Sequence, residues 1–438
     1  MFNDFLYMLF AFPFALGVII FVHEAGHLLV AKAFNVRVHT FSLGFGKRLW
    51  GFRRGETDYR VSLIPLGGYV KLGGEMPDEA TGDPREFLAK PRWQRILVYL
   101  AGPAMNVVLA IALIAGVFMV GTTTSDLPDI EAVIGGVIEG SSAEEAGLQR
   151  GDRVLAVDGE PVERWAQVSL ALLTSPDRAV ELTLERQGRT LQAAVTPNRL
   201  DKYEIGDLAG LYPSVRPSIT RVEKDSPAAR GGLEVGDQLT SVDGRPVNDG
   251  KSFADHIAAH AETEVVLGVL RKQRPVELRV TPKTDDQGRG LIGVGLGFYQ
   301  RYGLVDAVVQ SCRYNLQIVQ QTFVVLDRIF KRRLSAKGAL AGPIEIAVQS
   351  GQAAQTGFKN LLHLMGLLSI SIALVNLLPI PILDGGQITI LLVESVLRRD
   401  LSLRFKEIVA QVGFVLIMLL TVTVIYFDLA KNLPFGGS

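Results

Sequence analysis

Four long apolar stretches, at roughly 5–30, 96–120, 361–383 and 408–427, constrain this chain more than any other feature. Each is long enough to cross a hydrocarbon core about 30 Å thick, where a helix satisfies its own backbone. The overall averages, 48% hydrophobic and 21% charged, conceal this segregation, because a long segment of ordinary soluble composition separates the second stretch from the third. Formal net charge is zero, so nothing in the charge balance calls for a nucleic-acid partner. The single Cys312 excludes an intrachain disulfide and reads as a small apolar residue on a helix face.

Basic residues orient the spans. The loop between the first two holds Arg37, Lys47, Arg48, Arg53, Arg54, Arg60, Lys71, Arg85, Lys90 and Arg92, and the link between the last two holds Arg398, Arg399, Arg404 and Lys406. The positive-inside rule places both links in the cytoplasm, and both termini and the 125–355 region outside.

The first stretch runs directly into His23-Glu24-Ala25-Gly26-His27. On a helix the two histidines lie one turn apart on one face, about 5–6 Å between Cβ atoms. Two neutral imidazoles there can grip one zinc ion, with Glu24 left free to take a proton from water. Ionisable groups are costly at membrane depth, which marks them as functional candidates. A satisfied interfacial histidine pair and a secretory signal peptide are the rival readings. Met1–Asp4 lacks the basic residues of a signal peptide.

A catalytic zinc takes three protein ligands, so one more is expected at similar depth. The third apolar stretch ends in Asn376-Leu377-Leu378-Pro379-Ile380-Pro381-Ile382-Leu383-Asp384-Gly385-Gly386. Pro379 and Pro381 remove backbone donors and force extended chain, which membranes tolerate only in a cavity or buried in protein. Asp384 is therefore placed to complete a metal site, the alternative being a helix-end Asp capping nearby amides.

The soluble middle repeats itself at an offset of 85 residues. Ser141-Ser142-Ala143-Glu144-Glu145-Ala146-Gly147-Leu148 aligns with Ser226-Pro227-Ala228-Ala229-Arg230-Gly231-Gly232-Leu233, and Val157-Asp158-Gly159 with Val242-Asp243-Gly244. Each unit reads as a strand, a short helix ending in Gly, a Gly-Asp turn, and a strand entering an Asp-Gly hairpin. The pair resembles tandem PDZ domains over 127–198 and 213–283. Such domains bind peptides at a sheet edge or act here as a sieve. His256 and His260 form a second i,i+4 pair, but with no Glu and no third ligand in view they read as a solvated helix face. His39 and His363 read as interfacial.

Together, the H-E-x-x-H of a first span, the N-x-x-P-x-P-x-L-D-G of a later one and the PDZ-like pair between them resemble the site-2 protease family over nearly the whole chain. The resemblance implies His23, His27 and Asp384 as zinc ligands, Glu24 as catalytic acid/base, and Asn376, Pro379 and Pro381 as lining the site. Gly102-Pro103-Ala104-Met105-Asn106 matches the family's G-P-x-x-N. Some members carry a substrate-contacting Asn five residues before the position of Asn376, which here is Ser371. Residues 36–75 read as hairpins of apolar and aromatic strands. The resemblance makes them a membrane-reentrant β-element whose edge, with Gly67, Gly68 and Tyr69, meets substrate.

The expected architecture is a polytopic α-helical membrane protein: four transmembrane helices, a membrane-associated β-element and two tandem extracytoplasmic PDZ domains. Its segments are 1–35 with H-E-x-x-H, 36–93 with the β-element, a second span at 94–122, the PDZ pair, an amphipathic region at 300–355, a third span segment at 360–396 and a fourth span at 405–430. Within the amphipathic region, Leu304–Leu334 reads as one or two helices, with the basic Lys331-Arg332-Arg333 at its end. The expected activity is that of a zinc-dependent intramembrane endopeptidase in a bacterial inner membrane, with the PDZ domains and both termini periplasmic. By resemblance its partners are single-span membrane proteins of the anti-sigma-factor type, already trimmed outside the membrane, and signal peptide remnants. A membrane-anchored PDZ adaptor without catalysis is the alternative. A zinc transporter would need more ionisable groups in the spans.

Overall fold

The computed structural model describes residues 2–432 apart from 77–80, 123–129, 201–204, 215, 248, 272–273, 286–287, 298, 332–333, 336 and 338–340. Arg332 and Arg333 thus lie outside the described residues. The chain divides into two units, Met1–Val117 with Leu340–Ser438, and Phe118–Ala339.

In the first unit, helix α1 (Phe2–Ala33) is followed by strands β1 (Val38–Arg54) and β2 (Thr57–Leu72) and helix α2 (Arg92–Val120). Four helical segments are long and apolar enough to cross a membrane: Leu6–Ala33, Arg92–Val120, Phe358–Asn376 and Leu403–Leu429. The last keeps large apolar side chains such as Phe414, Leu416, Leu419 and Leu420 more than half exposed, as a lipid-facing helix would. The hairpin and α1 share a core of Leu28, Ala31, Val36, Val38, Phe41 and Leu72, closed by Phe87 and Val98.

The two long strands fold back to give four side-by-side strand segments in one sheet. Residues 40–43 of β1 pair with 68–71 of β2 on one side and with 58–61 on the other. Bulges allow this bend, one of them at Gly44, whose φ of 91° and closeness to the Ile64 carbonyl leave no room for a side chain. The segment Gly68–Leu72 consequently forms an outer edge, paired to β1 on one side.

The second unit holds the repeat. Its first copy comprises β3 (Ile134–Val137), α3 (Ser142–Glu145), β4 (Arg153–Val157), α4 (Trp165–Leu173), β5 (Val180–Arg186), β6 (Arg189–Val195) and β7 (Leu211–Pro213). Its second copy comprises β8 (Ser218–Val222), α5 (Pro227–Arg230), β9 (Gln238–Val242), α6 (Gly250–Ala259), β10 (Val265–Arg271), β11 (Arg274–Val280) and β12 (Val294–Gly297). Antiparallel strands run in the order β4-β5-β6 in one and β11-β10-β9-β8-β12 in the other. Each sheet encloses its own core, around Trp165, Leu172 and Leu182 in the first and Phe253, Ile257 and Leu267 in the second.

The repeated sequence signals have repeated physical jobs. Ser141 and Ser226 cap their short helices through the amides of Glu144 and Ala229. Asp152 and Asp237 are buried and receive matching forks, Arg186 Nε and Nη2 at 2.7 Å in one copy and Arg271 Nε and Nη2 at 2.8 and 2.7 Å in the other. A bidentate guanidinium satisfies a buried carboxylate that would otherwise be costly. These are PDZ-like domains, and α7 (Leu304–Phe330) follows them as a single helix. Its buried face, Ala307, Ser311, Tyr314 and Asn315, repeats every three to four residues.

The chain then returns to the first unit as α8 (Pro343–Thr356), α9 (Phe358–Asn376), α10 (Asp384–Leu397) and α11 (Leu403–Asn432). Within 360–396, only α9 has the length and apolarity of a span; the chain breaks at residues 377–383 and restarts as α10. The buried Glu394 fixes the turn into α11, accepting from the Leu401 amide at 2.9 Å and pairing with Lys406 at 2.6 Å. Buried Asp428, near the end of α11, takes the amides of Gly342, Ile344 and Glu345 at 2.9–3.1 Å and so caps α8.

Candidate active site

Helix α1 presents His23 and His27 one turn apart, both buried, with ring centroids 4.9 Å apart and planes at 78°. Their Nε2 atoms are 3.2 Å apart, and Asp384 Oδ2 lies 3.1 Å from the first and 3.5 Å from the second. All three groups belong to the first unit.

A polar triangle of this kind could hold a metal ion. His27 Nδ1 lies 2.8 Å from the Val98 carbonyl oxygen, which only accepts, so Nδ1 must donate. In the neutral ring Nε2 then carries a lone pair aimed at the other two ligand atoms. Tetrahedral coordination with bonds of about 2.0–2.2 Å puts ligand atoms about 3.3–3.6 Å apart. The observed edges of 3.1–3.5 Å suit a single ion of that size, and two imidazoles with one carboxylate are a donor set that zinc accepts.

Local sequence explains how these groups meet. Gly26, inside the motif on α1, and Gly102, on α2, each occupy a point of close approach. A Cβ at Gly26 would strike the Ala101 carbonyl, and one at Gly102 would strike both imidazoles. Pro103 has no N–H to close the helical ladder onto the Tyr99 carbonyl, which loosens α2 beside the Val98 carbonyl that holds His27. One turn beyond Gly102, Asn106 is fully buried with Nδ2 3.1 Å from His23 Nδ1, while its Oδ1 has no partner. Turning the amide by half a turn pairs Oδ1 with a His23 Nδ1–H and leaves His23 Nε2 as a ligand.

Asp384 opens α10, yet its carboxylate faces the histidines rather than capping the helix, whose N-cap Leu383 offers no side chain for that purpose. Gly385 and Gly386 let the 377–381 segment fold onto this helix start, where a Cβ at either would meet the carbonyls of Leu377 or Ile380. Gln387 braces the same segment through the Pro381 carbonyl at 2.6 Å.

A cavity of about 270 Å³ opens onto the triangle and is lined by His23, Glu24, His27, Tyr69, Asn376 and Asp384, among others. The expected residues thus converge, with differences of detail. Gly68 packs against the Glu24 side chain, and Gly67 lies under the Phe45 ring. Pro379 and Pro381 are absent from the lining; Pro381 packs against Gly413 of α11 instead. Ser371 directs its hydroxyl to the Leu367 carbonyl at 2.8 Å, within its own helix. Sequence reasoning missed Glu75, Val98 and Tyr99 in the lining and the role of Asn106. The four-residue spacing of Gly102 and Asn106, which sets both on one face of α2, was the available signal.

The model of peptidase family M50 matches residues 11–420. A regulator of sigma-E protease from Salmonella typhimurium is 30% identical, covering 97% of this chain and 99% of that protein. Its counterpart from Escherichia coli is 30% identical over 98% of this chain and 99% of that protein. Among solved structures, the PDZ domain of an SdrC-like protein from Listeria monocytogenes aligns with 19% of this chain and 90% of that chain, at 23% identity and a TM-score of 0.18. With three groups that could hold one metal ion, helices of span length and a family match over nearly its whole length, the chain belongs to peptidase family M50, the site-2 metalloendopeptidases of membranes.

Proposed function

We propose that this protein is a zinc-dependent intramembrane endopeptidase of a bacterial inner membrane that cleaves single-span proteins already trimmed outside the membrane. Anti-sigma-factor-type proteins, in keeping with relatives named regulator of sigma-E protease, and signal peptide remnants are the substrate classes. The PDZ-like pair and both termini would lie on the periplasmic side, following the basic-residue bias of the two links. The observation that carries the reading is the triangle of His23 Nε2, His27 Nε2 and Asp384 Oδ2, with edges of 3.1–3.5 Å, beside Glu24 in one cavity.

His23, His27 and Asp384 would hold the ion. Bound there, zinc supplies Lewis acidity that polarises a scissile carbonyl and acidifies water. Glu24 takes the proton from the attacking water and returns it to the leaving amine as the C–N bond breaks. A helical substrate hides its carbonyls in i→i−4 bonds and must be extended before it is cut. The open edge at Gly68–Leu72, with Tyr69 in the cavity and the Val70 backbone facing the Glu24 carboxyl, is placed to hold it so. Gly67 and Gly68 leave the start of that edge without side chains, and Asn376 offers an amide to the substrate backbone. The PDZ-like pair would turn away substrates that still carry bulky outer domains.

The test incubates detergent-purified protein with a single-span anti-sigma-type substrate lacking its outer domain, alongside Glu24→Gln and a chelator-treated sample. Cleavage by the native protein alone, with zinc retained in Glu24→Gln, is the expected result. An intact substrate with no zinc bound to the native protein would replace this reading with the adaptor.

A further inference from the structure

Among the described residues, a second group of metal-ligating side chains converges in the second PDZ-like domain: Asp243, His256 and His260, with ligand atoms within 4.8 Å of one another. In sequence the histidine pair lacks a third ligand. The fold supplies it from the Asp-Gly turn after β9, because that turn lies against the outer face of α6.

Two of the three groups, Asp243 and His260, are already anchored through the atom that a metal would not use. Asp243 Oδ1 accepts from the Val266 amide at 2.8 Å, leaving Oδ2 at 2.8 Å from His256 Nε2. His260 Nδ1 lies 2.7 Å from the His256 carbonyl oxygen and must donate to it, so the neutral ring has its Nε2 lone pair free. The two rings stack with centroids 4.2 Å apart and planes at 18°. Such secondary anchoring fixes tautomer and orientation in metal sites.

The internal repeat gives an independent comparison. In the first domain Asp158 occupies the position of Asp243 and likewise takes a β-strand amide, that of Glu181, at 3.0 Å. There the carboxylate is met by Arg178. The residues that correspond to the two histidines are Ala171 and Ser175, and Arg328 of α7 donates to both, to the Ala171 carbonyl at 3.3 Å and to Ser175 Oγ at 3.1 Å. The same pocket of the fold thus holds guanidinium cations in one copy and presents two imidazoles in the other.

We infer that Asp243, His256 and His260 form a second site for a divalent transition metal, distinct from the catalytic centre. Two imidazoles and a carboxylate suit borderline ions such as zinc, nickel and copper rather than calcium or magnesium. The opposite face of α6, through Phe253, Ala254, Ile257 and Ala258, lines a groove of about 650 Å³. An ion at this site pins one wall of that groove to the β9 turn. The inference does not depend on the proposed peptidase chemistry.

The test counts bound zinc in the full-length, detergent-purified chain after stripping and re-equilibration with zinc alone. The native protein is compared with His260→Asn, Asp243→Asn and a double variant, His23→Ala with His27→Ala. Two ions in the native chain, one in each variant, and none when His260→Asn is added to the double variant are expected. Hydrogen exchange gives a second readout: zinc should slow exchange in peptides covering α6 in the double variant, and not once His260→Asn is added. His260→Asn serves if it melts like the stripped native protein; otherwise Asp243→Asn is used. A single ion in the native chain, or a second ion that survives both His260→Asn and Asp243→Asn, overturns the inference.

Discussion

Asn106 reaches across from α2 to His23, its amide nitrogen 3.1 Å from the ring Nδ1, and both side chains are buried. With the amide oxygen facing the ring, Asn106 holds His23 in the tautomer whose Nε2 is free to bind metal. Asn106→Leu should therefore weaken zinc binding about 10–100-fold. Competition with a chelator would measure this on the purified protein, with no need for a substrate. Unchanged zinc affinity would show that Asn106 acts only in packing, through its backbone carbonyl, which accepts from Ser369 Oγ at 2.8 Å.

Gly102→Ala tests the helix contact that carries the histidines. Its Cβ would press on both imidazoles, so the expected cost is overpacking of about 1–3 kcal/mol together with loss of the ion. Gly26→Ala pushes instead on the Ala101 carbonyl and the Met105 side chain, separating α1 from α2. Both variants should lose zinc and melt earlier than the native protein. Full zinc content in Gly102→Ala would mean that the two helices can move apart at no cost to the site.

The first PDZ-like domain should show an acid transition of identifiable origin. Burial opposes ionisation of Asp158, but hydrogen bonds from Arg178 and the Glu181 amide, with the charges of Arg178 and Arg328, outweigh it and hold the carboxyl below its usual range. A carboxyl depressed on folding stabilises the domain fully above its unfolded value, about 3.9, and that contribution is lost as pH falls through the folded value. Trp165 is buried in this core whereas Trp50 and Trp93 are exposed, so a variant with both exposed tryptophans changed to Phe reports the domain by fluorescence. Its melting temperature should hold steady from neutrality to about pH 4 and then fall. Asp158→Asn should lower the plateau and flatten that part of the acid decline.

The sequence displayed the fold class because its signals are local. Apolar runs of span length, a repeat with Ser caps and Gly-Asp turns, and two prolines ahead of Asp384 each constrain nearby backbone. His23, Glu24 and His27 were legible for the same reason, since one helical turn sets their spacing. What could not be read depended on which elements pack together. The Val98 carbonyl that orients His27 is a backbone group with no sequence signature. Asp243 meets His256 only because a hairpin turn folds over α6. The doubling back of β1 and β2 rests on bulges and glycine conformations that strand alternation does not reveal.

Gly68 offers a way to separate catalysis from metal binding. A Cβ there would lie 3.1 Å from Glu24 Cγ, 3.0 Å from Ile20 Cγ2 and 2.9 Å from the Ser42 carbonyl oxygen. None of these atoms belongs to a proposed metal ligand, so Gly68→Ala should keep its zinc while displacing both the Glu24 carboxylate and the strand edge beside it. A loss of about tenfold or more in cleavage rate is expected, since tenfold corresponds to only about 1.4 kcal/mol of transition-state stabilisation. Gly102→Ala should lose activity and zinc together, whereas Gly68→Ala should lose activity alone. Native cleavage rates in Gly68→Ala would remove the β2 edge from the substrate path and leave Glu24 positioned by α1 by itself.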